Sequence, residues 1–198
     1  MIYLHKLKDL YRRAKVTFIF LVIIVFYFIF IALNGGTTNT DALIKYGAMF
    51  PPYVLFYKEY YRFISSIFIH IGLMHIIFNS YALYIFGPQI EGLMGSKKYL
   101  LFFLLTGIGG NLTTFIFNFK SVSAGASGSL FGLLGAFLYL LHRRPYMITP
   151  EGRRSLLSLL GINLAITVVS PSISTTAHLG GLIIGYLLSY IFLKEKNY

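Results

Sequence analysis

Long apolar stretches alternate with short polar segments along the chain. The first stretch, Val16 to Leu33, is an uncharged run of 18 residues, and as a helix rising about 1.5 Å per residue it nearly crosses a ~30 Å hydrocarbon layer. A cleaved signal peptide is the alternative, but its apolar part would be only ~7–15 residues long and would end in small residues. Five more apolar runs follow, near 64–86, 99–119, 122–141, 156–170 and 177–193.

The composition is also that of a chain that lies in a bilayer. Mean hydropathy is +0.72, hydrophobic residues make up 57% and charged residues 12%, whereas a typical soluble domain has roughly 25% charged residues. Because backbone groups in lipid have no water to bond, and because the alternating pattern of a barrel is absent, each span is expected to be helical. We therefore predict an all-α, polytopic membrane protein with a six-helix domain at 16–193, a basic segment at 1–15 and a short tail at 194–198.

Basic residues predict the orientation of this domain. With the N-terminus in the cytosol, thirteen Lys and Arg residues lie on the cytosolic side and four lie outside, as expected for a multi-pass protein of the cell membrane with both ends in the cytosol. A nucleic-acid-binding protein would gather its net charge of +11 on one face, so this function is not expected. The inner basic residues are Lys6, Lys8, Arg12, Arg13, Lys15, Lys97, Lys98, Arg143, Arg144, Arg153, Arg154, Lys194 and Lys196, and the outer ones are Lys45, Lys58, Arg62 and Lys120.

A serine and a histidine lie near the starts of two of these runs. Ser127 belongs to the segment 125–128, which reads Gly-Ala-Ser-Gly, and His178 belongs to 177–181, which reads Ala-His-Leu-Gly-Gly. The fourth and sixth spans run in the same direction through the membrane, so both side chains are expected at a similar depth below the outer surface. Ionisable groups inside spans are costly and usually functional. This pair therefore predicts a hydrolase.

Glycines follow both residues at helical spacing. Gly128 and Gly132 are four residues apart, as are Gly181 and Gly185, and such small faces let two helices approach closely in lipid. We expect them to bring Ser127 to His178. The alternative is that these glycines only pack helices and that the serine bonds to its own backbone.

A serine nucleophile needs a base for its proton and donors for the negative charge on the substrate oxygen. His75 and Asn79, at i and i+4 of the second span, share one helix face and can both donate to an oxyanion, together with the backbone N–H of Ser127. His70 lies five residues before His75 and is expected to point elsewhere. Phe131, four residues after Ser127, can hold the imidazole of His178 with its ring.

Other uses of these residues fit less well. A zinc site would use His70, His75 and His178, but no acidic residue accompanies them at ligand spacing, so we expect neither a metal nor a cofactor. The nucleophile elbow G-x-S-x-G fails because its fifth residue is Ser129. None of the six acidic residues is next to His178 in sequence. A two-residue dyad is therefore the simplest hypothesis.

In combination, four landmarks resemble the rhomboid family of intramembrane serine proteases. They are 61–62, 70–79, 125–128 and 177–185, and the similar region extends from about residue 45 to the C-terminus. The resemblance implies a six-helix bundle that cleaves transmembrane protein substrates within membrane lipid, with Ser127 as the nucleophile and His178 as the base. The alternative is a rhomboid-like protein that binds or remodels membrane helices without cutting them. Such relatives lack the nucleophile or the base, and this chain has both.

The resemblance also assigns supporting roles, with some departures. The family's Trp-Arg pair reads Tyr61-Arg62 here, and the tyrosine that stacks on the family's histidine is Phe131. Glu91 matches a glutamate that ties loop backbone together, although a solvated charge at a helix end is the alternative. The aromatic outer loop 34–62 is expected at the membrane interface. Water has to reach the site from outside. Gly107, Gly109, Gly110 and Asn111, together with the polar residues around 121–129, are expected to allow a hydrated cavity that opens outward.

Overall fold

The structure is a computed structural model that describes residues 2–169 and 174–193. Within these ranges every regular element is helical, apart from one isolated antiparallel bridge between Met49 and Ser123. The all-α prediction is thus confirmed for the described residues. The helices are α1 (Ile2–Arg13), α2 (Lys15–Leu33), α3 (Thr40–Lys45), α4 (Pro51–Tyr57), α5 (Arg62–Ser65), α6 (Gly72–Met94), α7 (Ser96–Phe117), α8 (Ser127–Arg143), α9 (Pro150–Val169) and α10 (Thr175–Phe192), with a 3-10 turn at Pro145–Met147.

Six of these helices, α2 and α6 to α10, overlap the six apolar runs, but their bounds differ from those of the runs. Glycines explain two of the differences. Gly72 has φ +73° and Gly125 has φ +129°, a conformation that other residues rarely adopt, and both residues lie in the bends from which α6 and α8 begin. The two runs therefore start several residues before these helices, one at residue 64 within α5 and the other at residue 122 in the loop before α8. Residue 170, the tail at 194–198 and the first residue lie outside the described ranges.

Among the residues that the structure describes, three helices are long and apolar enough on their own to cross a membrane: Lys15–Leu33, Ser96–Phe117 and Thr175–Phe192. The exterior of the bundle is consistent with lipid around it. Large apolar side chains such as Phe26 and Phe78 are exposed, whereas Thr106, Asn111 and Ser129 are buried. Such an exterior suits a lipid environment, and these three buried polar groups are hydrogen-bonded, as polar side chains between membrane helices are expected to be.

α8 is the innermost helix. Every residue from 128 to 137 is buried, and Leu133 is among the most completely enclosed side chains of the described chain. α10 and α7 both pack closely against α8, and Phe102 and Phe103 of α7 complete the core beside it. Ser127 is the first residue of α8 and thus lies at the end of a helix that the others surround.

Glycines bring the backbones of α8 and α10 into direct contact. A Cβ atom at position 181 would lie 2.0 Å from the carbonyl oxygen of Gly128, and one at position 185 would lie 2.2 Å from that of Gly132. No side chain larger than hydrogen fits at such distances. We call these four residues, Gly128, Gly132, Gly181 and Gly185, the glycine seam. It fixes the start of α8 against the start of α10.

Glu91, near the end of α6, holds the N-terminus of α2. It is only 2% exposed, and its carboxylate accepts the backbone N–H groups of Val16 and Thr17 at 3.0 and 2.9 Å. The hydroxyls of Thr17 and Ser96 donate to it at 2.8 and 2.6 Å. Free N–H groups at a helix N-terminus favour a carboxylate. The alternative of a solvated charge is wrong, and the backbone that Glu91 ties down belongs to a helix and not to a loop.

Arg62 anchors the outer loop. It is 2% exposed, one of its terminal nitrogens donates to the carbonyls of Ile44 and Ala48 at 2.7 and 2.8 Å, and its guanidinium forms an ion pair with Glu59. The ring of Tyr61 lies 5.4 Å from the guanidinium carbon, a cation–π contact that an indole would also provide. The loop is thereby tied to the start of α5.

Candidate active site

The turn before Ser127 is held by its neighbours. The N–H of Gly125 donates to the carbonyl of Ser66 at 2.9 Å, and the N–H of Ala126 donates to Nε2 of His70 at 3.3 Å. Ser127 itself is half-buried. Because the first N–H groups of a helix have no partner within it, the start of α8 presents backbone donors beside the serine hydroxyl.

His178 lies in the first turn of α10 and is buried. Its imidazole stacks on the ring of Phe131, with centroids 4.1 Å apart and planes 17° from parallel. Phe131 lies one helical turn after Ser127 on α8, and the glycine seam joins the two helices beside it. Within the described residues, no hydrogen bond joins Ser127 to His178. Ser127 and His178 thus lie in the first turns of two helices that pack against each other, and the ring of Phe131 contacts the imidazole.

His178 has a second contact, on α9, that the sequence does not predict. Its Nδ1 atom lies 2.7 Å from Oγ1 of Thr167, and the same Oγ1 lies 2.7 Å from the carbonyl oxygen of Asn163. Thr167 is 2% exposed. The one signal in the sequence is its position, because Thr167 extends the spacing of Leu156, Leu160 and Leu164 along one helix face.

His75 lies against the turn that carries the serine. A Cβ atom at position 125 would be 2.6 Å from Cε1 and 2.8 Å from Nε2 of His75, so only glycine permits this approach. Nδ1 of His75 accepts the N–H of Ile71 at 3.3 Å. A neutral imidazole carries one proton, and with Nδ1 as acceptor that proton is on Nε2, the nitrogen beside Gly125. His75 is thus a donor at this position.

Asn79 is buried one turn further along α6. Its amide nitrogen donates to the carbonyl of His75 at 2.9 Å, and its amide oxygen is a buried acceptor without a partner in the described structure. One N–H of the amide is thus engaged within α6, and the other is not used by any hydrogen bond among the described residues. The side chain retains donor capacity on the same face as His75.

His70 does not point elsewhere, and that prediction is wrong. Its ring centroid lies 5.2 Å from that of His75, and its Nε2 accepts the N–H of Ala126 next to Ser127. The prediction assumed a continuous helix from residue 70. Because α6 begins only at Gly72, after extended backbone at Ile71, helical spacing does not relate His70 to His75.

The small residues of α7 are closely packed against neighbouring helices. A Cβ at Gly107 would lie 2.4 Å from Oγ of Ser129, and one at Gly110 would lie 2.6 Å from the carbonyl of Ala177. Asn111 donates to the carbonyl of Phe63 and to the hydroxyl of Ser66, both at 2.8 Å. These residues thus serve close helix contacts, and the hydrated cavity expected near them and near residues 121–129 stays a prediction.

The described residues contain no group of three or more His, Cys, Asp or Glu side chains arranged to hold a metal ion. The chemistry available here is that of a hydroxyl, imidazoles, an amide and backbone N–H groups. These are the components of serine-based acyl transfer.

Comparison with known proteins decides the family. A family model described as the Rhomboid domain matches residues 57–195, which include all four landmarks. The chain belongs to the rhomboid family. The resemblance seen in the motifs is thereby confirmed, and together with the apolar helices it identifies an integral membrane protein.

Several curated rhomboid relatives are similar over most of the chain. Rhomboid protease GluP of Bacillus subtilis (strain 168) is 35% identical over 174 residues, which are 88% of this chain and 34% of GluP. Putative rhomboid protease YdcA of the same organism is 34% identical over 140 residues, 70% of each chain. RHOMBOID-like protein 1 of Arabidopsis thaliana is 35% identical over 158 residues, 79% of this chain and 40% of that protein. The match thus spans about a third of GluP, and two of these three relatives are named as proteases.

Proposed function

We propose that this rhomboid chain is an intramembrane serine endopeptidase that cleaves transmembrane protein substrates with a dyad of Ser127 and His178. The observation that carries the proposal is the stack of His178 on Phe131, one turn after Ser127, at the place where the glycine seam joins α8 to α10. The serine begins a buried helix, and the histidine is buried. This arrangement supports proton transfer between them once a substrate is bound, because catalytic hydrogen bonds often tighten only in the complex.

In the proposed first step, Oγ of Ser127 attacks a peptide carbonyl carbon while Nε2 of His178 takes the hydroxyl proton. The carbonyl oxygen becomes an oxyanion, for which Nε2–H of His75, the Asn79 amide and the backbone N–H of Ser127 are the proposed donors. The carbon–nitrogen bond then breaks, and the imidazolium gives its proton to the leaving amine. Removing one such donor typically costs about 2.7–4 kcal/mol of transition-state stabilisation.

In the second step, water hydrolyses the acyl-enzyme. His178 removes a proton from the water as it attacks the ester carbon, Oγ of Ser127 leaves, and the proton passes to Oγ. The products are two peptide fragments and the free enzyme. The proposed path for water runs from the outer surface to the half-buried start of α8, where the sequence predicts a hydrated cavity that opens outward.

The topology belongs to the same proposal. Six spans at 16–193 would place the basic segment 1–15 and the tail 194–198 in the cytosol and open the site toward the outside, as the distribution of Lys and Arg residues favours. The aromatic outer loop supports a position at the lipid headgroups, because Phe56, Tyr57 and Tyr60 are exposed. The partners would be single-span membrane proteins and the surrounding lipid.

The test is proteolysis by the full chain reconstituted in vesicles with a panel of single-span proteins. We expect Ser127→Ala and His178→Ala to abolish cleavage and Ser127→Ala to abolish labelling by a fluorophosphonate probe. Ser129→Ala is the matched control, since Ser129 is two residues away, buried and bonded to the carbonyl of Phe103 at 2.8 Å. It should still cleave and label. Wild-type rates in either dyad variant, or no labelling of the wild-type protein, would overturn the proposal.

A further inference from the structure

The contact between α9 and His178 has no role in the two catalytic steps of the dyad. Thr167 is the one buried side chain of α9 among those that the structure describes. The rest of the inward face of α9 consists of Leu156, Leu160 and Leu164, each partly buried against the core. A hydroxyl thus takes the place of a leucine where α9 meets the imidazole. The presence of a hydroxyl at this position needs an explanation, because an apolar side chain would continue the row of leucines.

The distances around Thr167 determine where its proton lies. Oγ1 is 2.7 Å from the carbonyl oxygen of Asn163, and two oxygens so close repel each other unless a hydrogen lies between them. The carbonyl has no hydrogen, so the hydroxyl donates to it. A hydroxyl has one proton. Oγ1 can therefore only accept at its second contact, 2.7 Å away, which is Nδ1 of His178.

This assignment fixes the proton of the histidine. If Oγ1 accepts, Nδ1 of His178 carries the hydrogen, and in the neutral ring Nε2 is then the unprotonated nitrogen. A base that takes the proton of a serine must have a free lone pair on the nitrogen that meets the hydroxyl. In triad enzymes a buried carboxylate selects the histidine tautomer in this way. Here no acidic residue contacts His178 among the described residues.

We propose that Thr167 is a positioning residue that holds His178 in its Nδ1–H tautomer and leaves Nε2 free to act as the base. This inference rests on the proposed function. Thr167 does not touch the reacting atoms, and it acts through His178 alone. Phe131 fixes the plane of the imidazole and Thr167 its rotation and tautomer, so the two contacts together replace the third member of a triad.

The direct test reads the tautomer without any substrate. Protein labelled with 15N-histidine in lipid bilayers gives separate signals for protonated and unprotonated ring nitrogens, and the signals of His178 are those lost in His178→Gln. We expect Nδ1 of His178 to be protonated in the wild type and in Thr167→Ser. In Thr167→Val, which removes the acceptor, we expect a mixture of tautomers. An Nε2–H tautomer in the wild type, or an unchanged Nδ1–H tautomer in Thr167→Val, would overturn the inference.

Kinetics provide the second readout. Losing one hydrogen bond should lower kcat of Thr167→Val by about two- to tenfold with KM unchanged, and Thr167→Ser should restore it. Thr106→Val is the matched control, because Thr106 is equally buried and its hydroxyl bonds the carbonyl of Phe102 one turn back. It should keep kcat within about twofold. A Thr167→Ser variant as slow as Thr167→Val would contradict the inference.

The outcomes separate this inference from the proposed function. If Ser127→Ala still cleaves, the dyad is wrong whatever the tautomer is. If the dyad variants are inactive but His178 carries its proton on Nε2, only the role of Thr167 fails. Should Thr167→Val not fold, the tautomer of the wild type and the activity of Thr167→Ser still decide the matter.

Discussion

α10 and α9 reach the candidate site in different ways. α10 meets α8 backbone to backbone along the glycine seam, where a Cβ at Gly181 would lie only 2.0 Å from a carbonyl oxygen. α9 meets the site through side chains, with a stripe of three half-buried leucines and the hydroxyl of Thr167. Backbone contact leaves no rotamer freedom, whereas side-chain contact does. The glycine seam therefore fixes the position of His178, and Thr167 of α9 selects which ring nitrogen of its imidazole carries the proton.

The comparison predicts that truncation of a side chain will cost far more in α8 than in α9. Leu133→Ala removes a completely buried side chain from α8 and should lower the free energy of unfolding by about 2–5 kcal/mol, because the cavity loses packing contacts. Leu160→Ala removes a half-buried side chain from α9 and should cost less than about 1 kcal/mol. Denaturant unfolding in detergent micelles measures both. Equal losses would mean that α9 is as firmly packed as α8.

The difference between the two helix contacts can also be tested by adding a methyl group instead of removing a side chain. Gly181→Ala forces a Cβ into the carbonyl of Gly128 and should destabilise the protein by about 1–3 kcal/mol, with loss of cleavage because α8 and α10 are pushed apart. A Cβ atom at Gly161 in α9 would meet nothing within 4 Å beyond its chain neighbours and the backbone of its own helix, and alanine favours a helix over glycine by about 1 kcal/mol.

The matched variant, Gly161→Ala, should thus be neutral or stabilising and remain active. Unfolding curves and vesicle cleavage are measured on both proteins. A tolerated alanine at position 181 would show that the glycine seam does not set the distance between the helices.

Much of the seam could be predicted from the sequence, and most of the α9 contact could not. Glycines four residues apart after both Ser127 and His178 indicate two faces that approach closely, because spacing alone places them on one side of a helix. The sequence around Thr167 has no comparable spacing pattern that predicts its contact with His178. It lies at an ordinary position of an apolar stripe, and its partner is eleven residues away on another helix.

The first residues of the helices also could not be predicted from the sequence. The apolar runs continue into the loops before Gly72 and Ser127, and the bends there depend on backbone dihedrals that hydropathy does not register. The predicted position of His70 is wrong for this reason. Glu91 does lie near the end of a helix, as predicted, but the partner of its carboxylate, the N-terminus of α2, is 75 residues away in sequence and follows only from the packing of helices.

Substitution of Phe131 is expected to have the smallest effect. Phe131 lies on α8 beside the glycine seam, but it contacts His178 through its side chain. Phe131→Leu keeps an apolar side chain beside Gly132 but removes the stack on His178. Aromatic pairs contribute about 0.5–1.5 kcal/mol beyond their burial, so kcat should fall by about two- to tenfold as the imidazole loses its fixed plane. Cleavage rates per folded molecule measure the effect.

The control is Phe137→Leu, further along α8. Phe137 is also buried, and its ring meets Phe86 at 5.8 Å in an edge-on contact remote from His178. It should lower stability by a similar amount and leave kcat unchanged, because the lost contact does not involve the imidazole. If the two variants lose activity equally, Phe131 serves only to fill the core, and the orientation of His178 depends on the seam and on Thr167 alone.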